Sequence, residues 1–180
     1  MVKIIGSAIV SQDGFIADKF GAMNQLFCCE DFQALQTRLD RSAPCICVVG
    51  RKTHERHENR NGRTRYVLSR GFNQALLGEH VTYFSDMTSL RNRIDESFNV
   101  TWHVLGGGEI YNIFGEQNLY TDFYLSINNN VSFGQGIFLS SDLVWPGADT
   151  LMGQWGLSFV DEKRLSNNVV ERYYRLSPST

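Results

Sequence analysis

Long apolar runs are missing from this chain. None approaches the roughly 20 residues that a membrane-crossing helix needs, so no membrane span is expected. Charge imbalance is also small. Lys and Arg number 17 against 19 Asp and Glu, a net charge of -2, which creates no whole-protein field to draw nucleic acid or an anionic membrane. Prolines number three, and there is no internal repeat, low-complexity tract or linker, so nothing marks a second domain. Cysteine is confined to Cys28, Cys29, Cys45 and Cys47. Their spacing is not a repeated C-x2-C pair, which favours reduced, mostly buried thiols over zinc. His54 and His57 are one helical turn apart but have no third ligand in sequence, so no metal is expected there.

What is present is an ordinary globular composition, 42% hydrophobic and 20% charged over 180 residues, consistent with one domain spanning residues 1–180. Lys3 before an apolar stretch could begin a signal peptide. That stretch is short, β-branched and followed by Asp13-Gly14, so a first core strand is the better reading, with a cytoplasmic location.

The pattern predicts a strand over Lys3–Val10, a long loop over Ser11–Phe27 and a helix over Glu30–Asp40, where Phe32, Leu35 and Leu39 recur on one face. Cys45–Val49 is a wholly apolar strand of the kind buried on both sides. A polar helix runs from Gly50 to about Glu58, and Asn59–Gly62 is a turn. Strands follow at Thr64–Ser69, Val81–Phe84 and Thr101–Leu105, with Gln74–Glu79 a loop or short turn and Asp86 capping a helix to about Glu96. Glu109–Gly115 is a short helix and Tyr120–Ile127 a strand, and Trp155–Arg164 with Val169–Leu176 forms a closing hairpin. This order predicts an α/β fold: a mostly parallel central sheet flanked by helices, with an antiparallel C-terminal hairpin. Trp102, Trp145 and Trp155 are expected to pack inside.

Two strands end in glycine and lead into helices, at Gly50-Arg51-Lys52-Thr53 and at Gly106-Gly107-Gly108-Glu109. Glycine lets the backbone approach an anion, and the first helical N–H groups point at it. One such junction is often only a tight turn; two in one small domain point to a phosphate ligand. Arg51, Lys52, Arg56, Arg60, Arg63, Arg65 and Arg70 supply seven of the 17 basic residues within one short stretch. Arg56 and Arg60 read as a solvated face. Arg51 is more informative, because a cation at a helix start is disfavoured unless an anion sits there. No set of stacking aromatics accompanies these charges, which argues against nucleic acid.

Four segments in order resemble the dihydrofolate reductase superfamily, which includes the reductase domain of the riboflavin pathway. They are Val10–Ala17 (VSQDGFIA), Val49–Thr53 (VGRKT), Gly62-Arg63 through Val67–Arg70 (VLSR), and Val104–Tyr111 (VLGGGEIY). Tyr124-Leu125-Ser126 fits the long strand after the last helix. The resemblance implies NADPH as cofactor. Arg51, Ser69 and Arg70 would hold its 2′-phosphate, with Lys52 and Thr53 on one side of the pyrophosphate and the backbone of Gly107, Gly108, Glu109 and Ile110 on the other. Gly50, Leu68, Gly106 and Tyr111 would also bind the cofactor. Ala8, Ile16 and Leu105 would line the nicotinamide pocket, and Ser11–Phe27 would be a lid. A carboxylate at the start of the first helix would bind the pterin ring and assist its protonation. Glu30-Asp31 occupies that region, and Asp31 has the better register because Leu35 follows one turn later. Phe32, Leu35, Ser126 and Arg63 would also contact substrate, Arg63 at the position that binds the folate glutamate carboxylate.

The chain departs from the folate pattern in its lid, where Asn24-Gln25 stands in place of a Pro-Trp pair. Ser11–Ala17 and Val131–Ile137, with its paired glycines, lean towards the riboflavin branch, whose members tend to dimerise. Three readings follow. The first is an NADPH-dependent reductase of a pterin, dihydrofolate foremost. The second is a reductase of a phosphoribosylaminopyrimidine. The third is an NADPH-binding module without catalysis. In each the partner is a small molecule.

Overall fold

The computed structural model describes residues 2–57, 59, 62–71, 80–140 and 145–177. The expected Gln74–Glu79 loop, Glu58 at the end of the polar helix, and Arg60 lie outside them. The elements are β1 (Lys3–Ser11), β2 (Phe15–Asp18), α1 (Cys29–Arg41), β3 (Cys45–Gly50), α2 (Arg51–Arg56), β4 (Thr64–Leu68), β5 (Val81–Phe84), α3 (Met87–Asp95), β6 (Thr101–Val104), α4 (Gly108–Glu116), β7 (Asp122–Asn128), β8 (Gly136–Phe138), α5 (Ala148–Gln154), β9 (Leu157–Arg164) and β10 (Val169–Leu176). Eight strands form one sheet in the order β5-β4-β3-β6-β1-β7-β10-β9. Pairing is parallel from β5 to β7 and antiparallel from there to β9.

The central strands show why both faces must be covered. Along β3 side chains alternate. Ile46 and Val48 join a large core with Leu90 and Ile94 of α3, Ile110 and Phe114 of α4, and Leu151 and Met152 of α5. Cys45 and Cys47 join a smaller cluster with Leu39 of α1. So α3, α4 and α5 cover one face and α1 the other. Trp102 and Trp155 are buried, and Trp145 packs against the core. The Asp86 carboxylate accepts the Ser89 amide at 2.8 Å, capping α3. Cys45 and Cys47 are buried as expected, but Cys29 is exposed and Cys28 half-buried.

The long loop is more ordered than its sequence predicts. Phe15–Asp18 forms β2, which pairs antiparallel with β8 as a separate ribbon. Phe15 and Phe138 stack with centroids 4.1 Å apart. A four-residue strand has too little alternation to be read, and its partner comes from far along the chain. Helix α5 was likewise illegible, since its seven residues give barely two turns.

Asp13 ties this loop to the segment before β8. Its carboxylate accepts from Ser11 Oγ at 2.5 Å, Ser132 Oγ at 2.7 Å, the Gly134 amide at 2.8 Å and the Phe133 amide at 3.3 Å. Burial alone would raise this carboxyl, but the hydrogen bonds from Ser11, Gly134, Ser132 and Phe133 lower it from 3.8 to about 2. A depressed folded value means that its ionisation stabilises the fold fully above 3.8 and ceases to do so as pH falls through about 2. Thermal melts of Asp13→Asn should therefore lose less stability between pH 4 and 2 than the unaltered protein, to a degree set by the roughly two-unit depression. Parallel melting curves for the two proteins across that interval would contradict this role.

Candidate functional site

Strands β3 and β6 are parallel neighbours, with Ile46 opposite Trp102 and Val48 opposite Val104. Their glycine ends therefore emerge side by side. The Gly50 amide donates to the Gly106 carbonyl at 2.7 Å, and the Leu105 amide to the Val48 carbonyl at 2.9 Å. Helices α2 and α4 start at this point, and neither has a side-chain cap at its N-terminus. With no side-chain cap among the described residues, the first amides of these helices are open to another acceptor, except that of Ile110, which donates to the Gly107 carbonyl at 2.9 Å.

The glycines keep this cradle narrow. A Cβ on Gly50 would lie 3.1 Å from Ile110 Cγ1, and one on Gly107 would lie 3.4 Å from Thr53 Oγ1. A Cβ on Gly108 would overlap the Phe138 carbonyl and lie 3.5 Å from Ile16 Cδ1. The β2–β8 ribbon therefore closes over the start of α4.

Cations flank the cradle. Arg51 pairs with Glu55 at 3.1 Å, and Arg70 reaches from the end of β4 to Glu109 on α4 at 3.0 Å. Exposed pairs of this kind contribute about 0–1 kcal/mol, so neither acidic partner holds its arginine strongly against a competing anion. Lys52 is exposed and Thr53 half-buried beside them, Leu68 ends β4, and Ser69 Oγ donates to the Gly71 carbonyl at 2.7 Å. Arg51, Lys52, Thr53, Arg70 and the Gly106–Ile110 backbone are thus gathered at one edge. Arg56 is not simply solvated, as expected, because its guanidinium donates to the Gly21 and Phe20 carbonyls and tethers the loop.

The apolar residues expected around a nicotinamide divide between two clusters. Ala8 and Ile16 belong with the large core and Leu105 with the smaller one beneath α1. Tyr111 is buried, and its hydroxyl donates to the Ser7 carbonyl at 2.5 Å, so it holds β1 from beneath. The Ser7 hydroxyl is itself buried and has no partner among the described residues.

The candidate acid stands in the first turn of α1. Asp31 is half-buried and accepts from Ser126 Oγ on β7 at 2.5 Å. Burial raises its carboxyl above the ordinary carboxylate value; the Ser126 hydrogen bond opposes this, Glu171 adds to it and Arg38 opposes it. Glu30 is turned outward, where its own backbone amide and then the Cys28 thiol lower its carboxyl. Helix spacing explains the difference. Leu35 and Leu39 face the sheet, so the residue one turn earlier on that face is Asp31. Phe32 was expected to face inward but is 49% exposed, with its ring 6.3 Å from that of Phe27. Arg63 is not free, since it donates to Gln36 Oε1 at 3.0 Å and Asp40 Oδ1 at 2.6 Å on α1.

Arg38 and Glu171 were missed from sequence. Arg38 stands two turns after Asp31, a spacing that helical periodicity could have flagged. Glu171 belongs to the closing hairpin, and nothing local links it to α1.

No family model matches the chain, and no curated protein does. Solved structures do. A protein named for riboflavin biosynthesis from Shewanella sp. PV-4 superposes with TM-score 0.73 at 18% identity, covering 98% of this chain and 100% of its own. A diaminohydroxyphosphoribosylaminopyrimidine deaminase/5-amino-6-(5-phosphoribosylamino)uracil reductase from Thermotoga maritima gives 0.67 at 15% identity, over 98% of this chain and 57% of its own. Dihydrofolate reductase from Enterococcus faecalis, complexed with NADP(H) and RAB-propyl, gives 0.68 at 14% identity, over 96% and 95%. At such identities the likeness is one of fold, and the fold is dihydrofolate-reductase-like.

Proposed function

We propose that this dihydrofolate-reductase-like chain is an NADPH-dependent reductase of a pterin, dihydrofolate being the first substrate to assay. The observation that carries the reading is Asp31, an inward carboxylate bonded to Ser126 of β7 and raised by burial, in a chain that also carries an uncapped glycine cradle. NADPH, when bound, supplies the hydride. Arg51, Ser69 and Arg70 hold its 2′-phosphate. Lys52 and Thr53, with the backbone of Gly107, Gly108, Glu109 and Ile110, hold the pyrophosphate. Asp31 accepts the amino and ring N–H groups of the substrate. Its raised carboxyl keeps a proton nearer to working pH than an exposed aspartate would, as proton transfer to a ring nitrogen requires. The tethered loop before α1 excludes water.

A second reading is favoured by Arg63. Held by Gln36 and Asp40, it is less suited to a glutamate tail, and a phosphoribosylaminopyrimidine has none. NADPH oxidation with each substrate in turn separates the two. Tight NADPH binding without turnover of either would leave a cofactor-binding module.

Arg51→Ala tests the cofactor assignment. A charge-assisted hydrogen bond contributes about 1.5–3 kcal/mol, so NADPH binding should weaken about tenfold or more, with NADH binding unchanged. Fluorescence titration reads both. Equal losses for the two cofactors, or no loss, would remove Arg51 from the 2′-phosphate site.

A further inference from the structure

Arg38 lies on the same face of α1 as Asp31 and donates through Nη1 to Glu171 Oε2 on β10 at 2.7 Å. Their side chains are only 16% and 9% exposed. The guanidinium sits 4.2 Å above the centroid of Tyr124, which stacks on Tyr173. Glu171 is the register partner of Ser126, and Ser126 is the donor to Asp31. The ion pair and the acid thus meet at one cross-strand pair. A buried ion pair is poor value as a stabiliser, since apolar residues of the same volume often do as well or better. Arg38 also keeps a buried Nε with no partner among the described residues. Stability alone does not account for this arrangement.

We propose that Arg38 and Glu171 are positioning residues that together set the proton occupancy of Asp31. The inference rests on the reading of Asp31 as the substrate-binding acid. Around Asp31, Arg38 comes from its own helix, Ser126 from β7, Glu171 from β10, and Tyr111 from α4, with its hydroxyl committed to the Ser7 carbonyl, while Tyr124 of β7 lies beneath the Arg38 guanidinium. Glu30 is turned to solvent. Burial favours the neutral acid and the Ser126 hydrogen bond favours the carboxylate. Glu171 adds to the first and Arg38 to the second. Because the two charges neutralise each other, removing one exposes Asp31 to the other.

Carbon-13 NMR of the aspartate carboxyls, with Asp31 assigned by its absence in Asp31→Asn, tests this without any assay of turnover. Glu171→Gln should move the Asp31 midpoint to lower pH and Arg38→Gln to higher pH. The double variant should lie between them. A merely structural role would loosen α1 in both variants and move both midpoints the same way, and that result, or two unmoved midpoints, would overturn the proposal. Should Arg38→Gln not fold, Glu171→Gln against Glu171→Asp decides, because only the loss of charge should lower the midpoint by more than the loss of one methylene. If the midpoints separate as stated while the pH profile of turnover stays put, the coupling stands and Asp31 is not the reaction's acid.

Discussion

Asp31→Asn should lower NADPH-dependent reduction by a hundredfold or more while leaving NADPH affinity unchanged. General acid–base groups contribute about 10²–10⁴ in rate, and Asp31, bonded to Ser126 of β7, is not among the residues that form the cradle proposed for the cofactor phosphates. Asparagine preserves the size of the side chain and an oxygen for Ser126 Oγ, now 2.5 Å from Asp31 Oδ1. It removes the proton and the charge. The fold should not suffer, because burial disfavours the charged form of Asp31 and the amide carries no such penalty. A rate within a few-fold of the unaltered enzyme would exclude Asp31 from the chemistry. A fall in thermal stability accompanying the loss would point to misfolding instead, so the two are measured together.

Gly115→Ala should destabilise the protein, although helix propensity alone says the reverse. Alanine in a helix interior is favoured over glycine by about 1 kcal/mol. Gly115 lies in α4, however, and a Cβ there would overlap the indole of Trp155. That indole has nowhere to go. It is 3% exposed and wedged between Tyr120, with centroids 5.6 Å apart, and Phe123, at 5.8 Å. Overpacking a close-packed core costs about 1–3 kcal/mol, occasionally more, and this overlap falls at the upper end. The net loss should lower Tm by several degrees, at about 2–4 °C per kcal/mol for a chain of this size. Scanning calorimetry reads it directly. A Tm equal to or above the parent's would mean that the Trp155 cluster yields, contrary to its packing.

The sequence was legible where one residue's neighbours settle its state. The run CICVVG needs two covered faces whatever surrounds it, and β3 lies inside the sheet. The glycines at the ends of β3 and β6 announce two strand-to-helix junctions, and both junctions are there. Asp86 and its helix follow from local capping alone. The ribbon of β2 and β8 escaped notice because its strands are four and three residues long, and each exists only through the other. Phe32 was misplaced because hydrophobicity was allowed to outrank phase. Once Leu35 and Leu39 are turned inward, it is the polar Asp31 that shares their face.

The candidate site divides along the same line. Glycine placement, the basic stretch after β3 and the carboxylate opening α1 are local properties, and they determined which ligand chemistry to expect. Only the tertiary structure decided what each group is worth. Parallel pairing of β3 with β6 brings two separate glycine junctions together. Packing of α1 on β7 and β10 buries Asp31 against Ser126 and sets Arg38 on Glu171. Asp40 and Gln36, on the far half of α1, take up Arg63. The reason is physical. The kind of charge a residue carries is written in its own side chain. Its proton affinity and its availability depend on burial and on hydrogen bonds and charges a few ångströms away, and those come from strands far off in sequence, Ser126 lying 95 residues from Asp31 and Glu171 133 residues from Arg38.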